Sequence, residues 1–342
     1  MDKKEIFKAI LETTKVVAQP IAVEKIYKKM FGHHFYSPKY LSFSNSDFPG
    51  LKYEKHPFVS HDKKRLVGYI YSQKSPQNKG IFVFCHGYGG GGHHCYLDLI
   101  NTVVKLGYIV FAYDATANDE SDGDDIKGFT QGLLDADKAI SYVESRKEYK
   151  DMPLYLMGHS WGAYSASNAL EFHPRVKGLI AFSGFNLSTS IFQANGELYA
   201  GDASKEFYSY IVERERKLFG ALSYHTAIES FNKSKAKICI IHSSDDATVP
   251  ISAGYDIYHK EFGKDKRFKF VRFSSRGHGT VFYTLQGKKY YDSIEKAYNK
   301  FCKDKEKTLE EKEAFLKENI DRKKWKNMVD VDLVKDCIKF IK

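Results

Sequence analysis

The stretch "LYLMGHSWGAYSASNAL", residues 154–170, decides the fold. Its opening apolar run suits a strand buried on both faces, as in a parallel sheet. A helix-like segment follows, and between the two stands Gly158-His159-Ser160-Trp161-Gly162. A serine on so sharp a strand-to-helix turn is held in a strained backbone conformation with its hydroxyl exposed. Glycines two before and two after it let strand and helix pass without a Cβ clash. The helix that starts after Ser160 aims free N–H groups and its positive dipole end at the same point. Ser160 is the candidate nucleophile.

Serine is a weak nucleophile near neutral pH, so it needs a base, and the base needs an orienting acid. On this kind of turn the chain order is serine, acid, histidine. Downstream, "KICIIHSSDDATVP" ends a buried run in Asp245-Asp246, and "FVRFSSRGHGTVF" ends the next in Gly277-His278-Gly279. Both fall just past C-terminal strand ends, on the edge that carries Ser160. His259 also follows the acids, but inside the helical run "YDIYHKEF", where an exposed helix face accounts for it. His278 is the candidate base. The residues alone leave the acid open between Asp245 and Asp246, the other being a loop former.

Upstream, "IFVFCHGYGGGGHHCYLDLI" (81–100) breaks from a strand into glycines. Gly87, Gly89 and Gly92 fit G-x-G-x-x-G, and Asp114 ends the next apolar run, which together spell a dinucleotide fingerprint. That fingerprint needs its third glycine to pack the following helix onto the strand. Here His93 and His94 follow Gly92 and the helix starts late. A nucleotide site also gives no reason for Ser160, the Asp245-Asp246 pair and His278 to share strand ends. A nicotinamide-dependent oxidoreductase is therefore set aside, and no organic cofactor is expected. Whether the surplus Gly91-Gly92 and His93-His94 give this loop extra mobility is left open by the sequence.

Outward from these motifs, strand and helix alternate from about residue 51. Beta-rich runs occur at 51–56, 65–71, 81–85, 108–113, 153–157, 177–183, 237–242 and 267–273, with helical segments at 94–106, 128–147, 161–172 and 252–262. The alternation predicts an α/β fold with function at the C-terminal strand ends. Two intervals break the rhythm. Ser183 to Lys235 is far longer than a crossover needs, which predicts a cap insertion at about 186–222. Its Phe192, Leu198, Tyr199, Phe207, Tyr208, Tyr210, Leu218 and Phe219 line either an acyl pocket or the cap's own core. The tail from about 288 to 342 is charged and helical, closing on Val334, Cys337, Ile338 and Ile341. Residues 1–50 form an N-terminal helical segment, in which Ile6, Phe7, Ile10 and Leu11 share one face and Pro20 opens a second helix. Packing of that segment on the main domain, 51–342, is expected; a lipid surface is the competing partner.

Composition narrows the class. An apolar fraction of 42% with 15% aromatics supports a substantial core. The net charge of +10 comes from lysines interspersed with acids, without the Arg-rich or aromatic-basic modules of nucleic-acid binders. No apolar run reaches bilayer length, and Lys8, Glu12 and Lys15 interrupt the only signal-like stretch. The five cysteines are odd in number and lack a CxxC, which reads as reduced thiols of a cytoplasmic protein. Cys95 with His93 and His94 lacks matching ligands elsewhere, so no metal is expected.

In order, "FVFCHGYGG", "DATANDESDG", "GHSWGA", "IIHSSDDATVP" and "RGHG" make the chain from about residue 60 onward similar to the α/β-hydrolase superfamily. The resemblance is to bacterial serine hydrolases of the lysophospholipase, monoacylglycerol lipase and serine-aminopeptidase-like kind. It implies a mostly parallel eight-stranded sheet with helices on both faces and a small helical cap. It places the acid four residues before the proline of D-x-x-V-P, hence Asp246 before Pro250. It also implies oxyanion donors at the N–H groups of Tyr88 and Trp161, with His86, Gly87, Gly89, Gly158, His159 and Gly162 as supporting motif residues. The implied activity is cleavage of a small-molecule carboxylic ester, lipid-like esters included, through an acyl-enzyme. Peptide or amide cleavage on the same triad is the alternative, and ligand binding without turnover a remoter one. One loop departs from the pattern D-x-R-G-x-G-x-S-x-G. Asp114, Ser121 and Gly123 remain, while Thr116, Ala117 and Asp119 replace its arginine and two glycines.

Overall fold

Each of the eight apolar runs forms a strand: β1 (Lys52–Val59), β2 (Arg65–Ser72), β3 (Ile81–Cys85), β4 (Ile109–Asp114), β5 (Leu154–His159), β6 (Val176–Phe182), β7 (Lys237–Ser243) and β8 (Phe268–Phe273). They join in one sheet of order β1-β2-β4-β3-β5-β6-β7-β8. β2 runs antiparallel to both β1 and β4, and the strands from β4 to β8 are parallel. β1 carries Pro57 and faces solvent with Lys52 and Glu54, which an edge strand tolerates and a central one does not. The computed structural model describes residues 19–74, 78–200, 203–303 and 307–342; the predicted face of Ile6, Phe7, Ile10 and Leu11 lies outside them.

Helices cover both faces: α1 (Gln19–Phe31), α2 (Leu97–Lys105), α3 (Thr130–Ser145), α4 (Trp161–Ala169), α5 (Ser190–Ala200), α6 (Ala203–Phe219), α7 (Ala227–Lys233), α8 (Tyr255–Phe262), α9 (Leu285–Lys303), α10 (Leu309–Asn319), α11 (Arg322–Trp325) and α12 (Val331–Ile341). The two-residue period of a strand divides each buried run between two cores. Ile81, Val83 and Cys85, with Leu154 and Leu156, face α1, α3, α4 and α8. Phe82 and Phe84, with Tyr155 and Met157, face α2 and α12. That double burial explains why the central strands read as unbroken apolar runs.

Between β6 and β7, α5 and α6 pack beside α1. Phe192, Phe207 and Ile211 are buried in the same core as Tyr27, Phe31 and Phe129, whereas Tyr210 and Leu218 are exposed. The side chains of Leu198 and Tyr199 lie outside the described residues. A buried Glu215 ties three helices together, accepting from Tyr27 Oη of α1 and Thr130 Oγ1 of α3, both at 2.9 Å. Burial raises the Glu215 carboxyl above its usual range despite those two donors.

The chain closes on the other face. Val334, Cys337, Ile338 and Ile341 of α12 are buried against β6 and β7. Gly178 permits this approach, since a Cβ there would meet Ile341 Cβ at 2.6 Å. All five cysteines are free, and Cys85, Cys239 and Cys337 are buried. Among the described residues, no helix is long and apolar enough to cross a membrane.

Candidate active site

Ser160 stands between β5 and α4 with φ +55° and ψ −118°, a conformation that L-residues rarely hold. Its N–H donates to Phe182 O at 2.8 Å, which pins the turn to the neighbouring strand. The flanking glycines are required by contact. A Cβ on Gly158 would meet Gly162 O at 2.4 Å, and one on Gly162 would meet Cys85 O at 2.0 Å. The start of α4 therefore lies directly against the end of β3, where the segment carrying Tyr88 begins.

Two loops past β7 and β8 bring in the other partners. His278 Nε2 lies 2.9 Å from Ser160 Oγ, and His278 Nδ1 lies 2.7 Å from Asp246 Oδ2. The other oxygen of Asp246 accepts the N–H groups of Thr248 and Val249, both at 2.8 Å. Burial acts to raise the Asp246 carboxyl, but hydrogen bonds from His242 and His278 outweigh it, leaving the group well below the usual carboxylate range. It is an anion at any working pH, fit to hold a histidine and stabilise its charged form.

Asp245 points elsewhere: its Oδ1 accepts the Gly277 N–H at 2.8 Å. His242 was not singled out by the sequence, yet its Nε2 lies 3.3 Å from Asp246 Oδ2 and 2.9 Å from Val249 O. The one signal was its place near the end of β7, four residues before Asp246.

The two prospective oxyanion donors come from the loop after β3, which carries Tyr88, and from Trp161, the first residue of α4. Neither the Tyr88 nor the Trp161 N–H takes part in a backbone hydrogen bond among the described residues. The peptide joining Gly87 to Tyr88 is held on its far side. His86 Nδ1–H donates to Gly87 O at 2.8 Å, while His86 Nε2 accepts the Ala115 N–H at 2.9 Å. In a planar trans peptide the N–H points opposite to the C=O, so fixing Gly87 O aims the Tyr88 N–H away from His86. Burial depresses the His86 imidazole, consistent with the neutral tautomer those two bonds need. The Tyr88 ring packs among Phe31, Phe35, Phe129 and Trp161, and its hydroxyl donates to Met30 O of α1.

The far end of the glycine run, Gly91 and Gly92, is tied down. Gly91 lies under Ser37, whose backbone nitrogen would stand 2.2 Å from an added Cβ. Asp119 Oδ2 accepts the Gly92 N–H at 2.9 Å and the Ser37 hydroxyl at 2.5 Å. Buried Asp114 accepts from His93 Nδ1 at 2.7 Å and from the His93 N–H at 3.0 Å. This packing restrains Gly91, Gly92 and His93, the part of the loop whose mobility the sequence left open. Asp119, which departs from the expected pattern, and Asp114, which keeps to it, serve as the loop's internal ties.

His93, His94 and Asp114 also form a cluster whose ligand atoms lie within 4.8 Å of one another, without Cys95. Both nitrogens of His93 are already engaged, by Asp114 and by Tyr71 Oη at 2.7 Å.

Comparison with known proteins agrees with this architecture. The family model described as serine aminopeptidase, S33, matches residues 76–223, a span that holds Tyr88 and Ser160 and stops short of Asp246 and His278. A monoglyceride lipase from Rattus norvegicus is 28% identical over 154 residues, covering 43% of this chain and 46% of the relative. The chain thus matches only about half the length of that relative, and a mouse monoglyceride lipase matches to the same extent. Among solved structures, an esterase from Pyrococcus furiosus aligns with a TM-score of 0.55 at 18% identity, over 79% of this chain and 97% of that one. An acetyl xylan esterase from Paenibacillus sp. R4 aligns at 0.53 and 17%, over 76% and 86%. With its sheet order, its strained serine turn and these matches, the chain has the α/β-hydrolase fold.

Proposed function

We propose that this chain is a serine hydrolase that cleaves a carboxylic ester through an acyl-enzyme. The observation that carries the reading is the unbroken line from Ser160 Oγ to His278 at 2.9 Å and on to Asp246 at 2.7 Å. The names of the matched relatives, monoglyceride lipase and esterase, support the ester class.

The chemistry follows from those positions. His278 Nε2 takes the Ser160 proton as Oγ attacks the ester carbonyl carbon. The carbonyl oxygen becomes an anion and receives the N–H groups of Tyr88 and Trp161. Collapse breaks the bond to the alkoxy oxygen, which leaves with the proton from His278. Water then attacks the acyl carbon, giving its proton to His278, and Ser160 recovers a proton as the acid departs. Asp246 stabilises the imidazolium at both stages. Two donors matter because losing one typically costs on the order of 10²–10³ in rate.

Amide cleavage on the same residues is the second reading, favoured by the serine-aminopeptidase description of the matching family model. Profiling p-nitrophenyl esters of increasing acyl length beside aminoacyl anilides separates the two. Ester turnover with adduct formation at Ser160 by a fluorophosphonate supports the first reading. Anilide turnover alone supports the second, and no adduct at Ser160 overturns both.

A further inference from the structure

Behind the candidate triad, a second histidine connects its two halves. His159 ends β5 and is buried beside Ser160. Its Nε2 lies 3.1 Å from the backbone oxygen of His278, and its Nδ1 lies 2.9 Å from Tyr96 Oη. The Tyr96 oxygen in turn accepts the Gly87 N–H at 3.1 Å. A carbonyl oxygen only accepts, so His159 must carry its proton on Nε2. Burial, reinforced by the neighbouring His278, pushes the His159 imidazole down to about 3, so Nδ1 is bare and accepts the Tyr96 hydroxyl proton. Every direction is then set: Gly87 N–H to Tyr96, Tyr96 O–H to His159, His159 Nε2–H to His278 O. Bonds aligned head to tail in a buried setting polarise one another.

The packing serves this chain of bonds. A Cβ on Gly87 would meet Tyr96 Oη at 2.5 Å and His159 Nδ1 at 3.3 Å, so only glycine admits the approach. The His159 ring lies 4.8 Å from the His278 ring and meets the Phe282 ring edge-on at 5.5 Å. Tyr96 lies between Phe84 and Phe282. One end of the connection is the backbone of the candidate base. The other is the peptide plane just before the Tyr88 N–H.

We propose that His159 and Tyr96 are positioning residues that hold the base loop and the oxyanion loop at a fixed separation. Neither touches substrate. They act through the backbone of His278 and the Gly87–Tyr88 segment, so their contribution belongs to the transition state rather than to ester binding. This inference rests on the serine-hydrolase reading of the site.

The test compares His159→Met, His159→Gln and Tyr96→Phe in the full chain, by steady-state kinetics on the best p-nitrophenyl ester and by the rate of Ser160 labelling with a fluorophosphonate. Met fills the space without a donor, whereas Gln can return an N–H near the Nε2 position. His159→Met is expected to lower kcat and the labelling rate by about 10²-fold, as a displacement near 1 Å does, with KM changed less than threefold. His159→Gln should recover at least tenfold of that loss. Tyr96→Phe should also lower kcat, and the His159→Met/Tyr96→Phe double variant should lose little beyond the worse single one, because both break one connection. A kcat for Tyr96→Phe and for a folded His159→Met within twofold of the parent overturns the proposal. So does a purely KM effect, or a Gln variant no better than Met. If His159→Met does not fold, Tyr96→Phe and His159→Gln decide alone. An unreactive Ser160 in the parent protein would instead remove the hydrolase reading beneath it.

Discussion

Asp245 Oδ1 accepts the Gly277 N–H at 2.8 Å, so neighbouring acids in the loop after β7 hold neighbouring residues of the loop after β8. Asp246 grips the side chain of His278, and Asp245 grips the backbone just before it. Gly277 has φ +63°, a left-handed conformation that suits glycine at the point where the loop must turn to present His278. The pairing makes separable predictions for two adjacent aspartates. Asp246→Asn should lower kcat by about 10⁴, since an amide neither fixes the tautomer nor stabilises the imidazolium. Asp245→Asn keeps an acceptor oxygen for Gly277 and should cost less than tenfold. The two variants assayed side by side on one ester check this. A larger loss from Asp245→Asn would reverse the assignment of the acid.

Ser160→Ala and His278→Ala should each lower ester turnover by roughly 10⁶ on a good substrate, and the double variant should be scarcely worse than either single one. Non-additivity is the informative part, because residues that act as one unit lose their whole effect at the first substitution. Thermal unfolding should shift downward for His278→Ala, because its largely buried side chain is a hydrogen-bond partner of buried Asp246. Ser160→Ala should be neutral or slightly stabilising, as the lost hydroxyl bridges to His278 and not to the core. Turnover retained in Ser160→Ala would refute the mechanism.

The glycine run separates what sequence pattern conveys from what it does not. Strands β3 to β7 were legible because burial on both faces leaves uninterrupted apolar runs, and the candidate residues were legible because each stands at a strand end. Tyr96 and the backbone roles of His86 and His159 were not. They act through bonds to loops distant in sequence, and neither periodicity nor spacing records such a bond. Similarly, four consecutive glycines left the loop's mobility open, because Ser37, the partner of Gly91 and Gly92, is far away in the chain. Substitutions should rank them by contact. Gly92→Ala would place a Cβ 1.9 Å from Asp114 Oδ1, and Gly91→Ala would combine φ +83° with a Cβ 2.2 Å from Ser37 N. Each should lower the melting temperature clearly and reduce activity with it. Gly89→Ala meets nothing within 4 Å and bears only the strain of φ +87°, on the order of 1 kcal/mol. Equal melting temperatures for the three would show the loop to be loose after all.

Asp98 makes the pH dependence of stability testable away from the chemistry. It is buried at the start of α2, with Oδ1 accepting the Leu99 N–H at 2.8 Å and Oδ2 without a hydrogen-bond partner. Burial pushes its carboxyl up to about 7, although the hydrogen bond from the Leu99 N–H acts in the opposite direction. Between the ordinary value of 3.8 and about 7, the unfolded chain has released this proton while the folded chain still holds it. The folded state binds more protons in that window, so stability falls as pH rises through it, and the full penalty persists above pH 7. Asp98→Asn retains an oxygen for Leu99 and cannot ionise, so it escapes that penalty. Melting curves of both proteins at pH 5 and pH 8 should show the difference, variant minus parent, becoming more positive at the higher pH. A difference independent of pH would mean that Asp98 is ionised in the folded protein throughout, its charge stabilised by the Leu99 N–H and the start of α2.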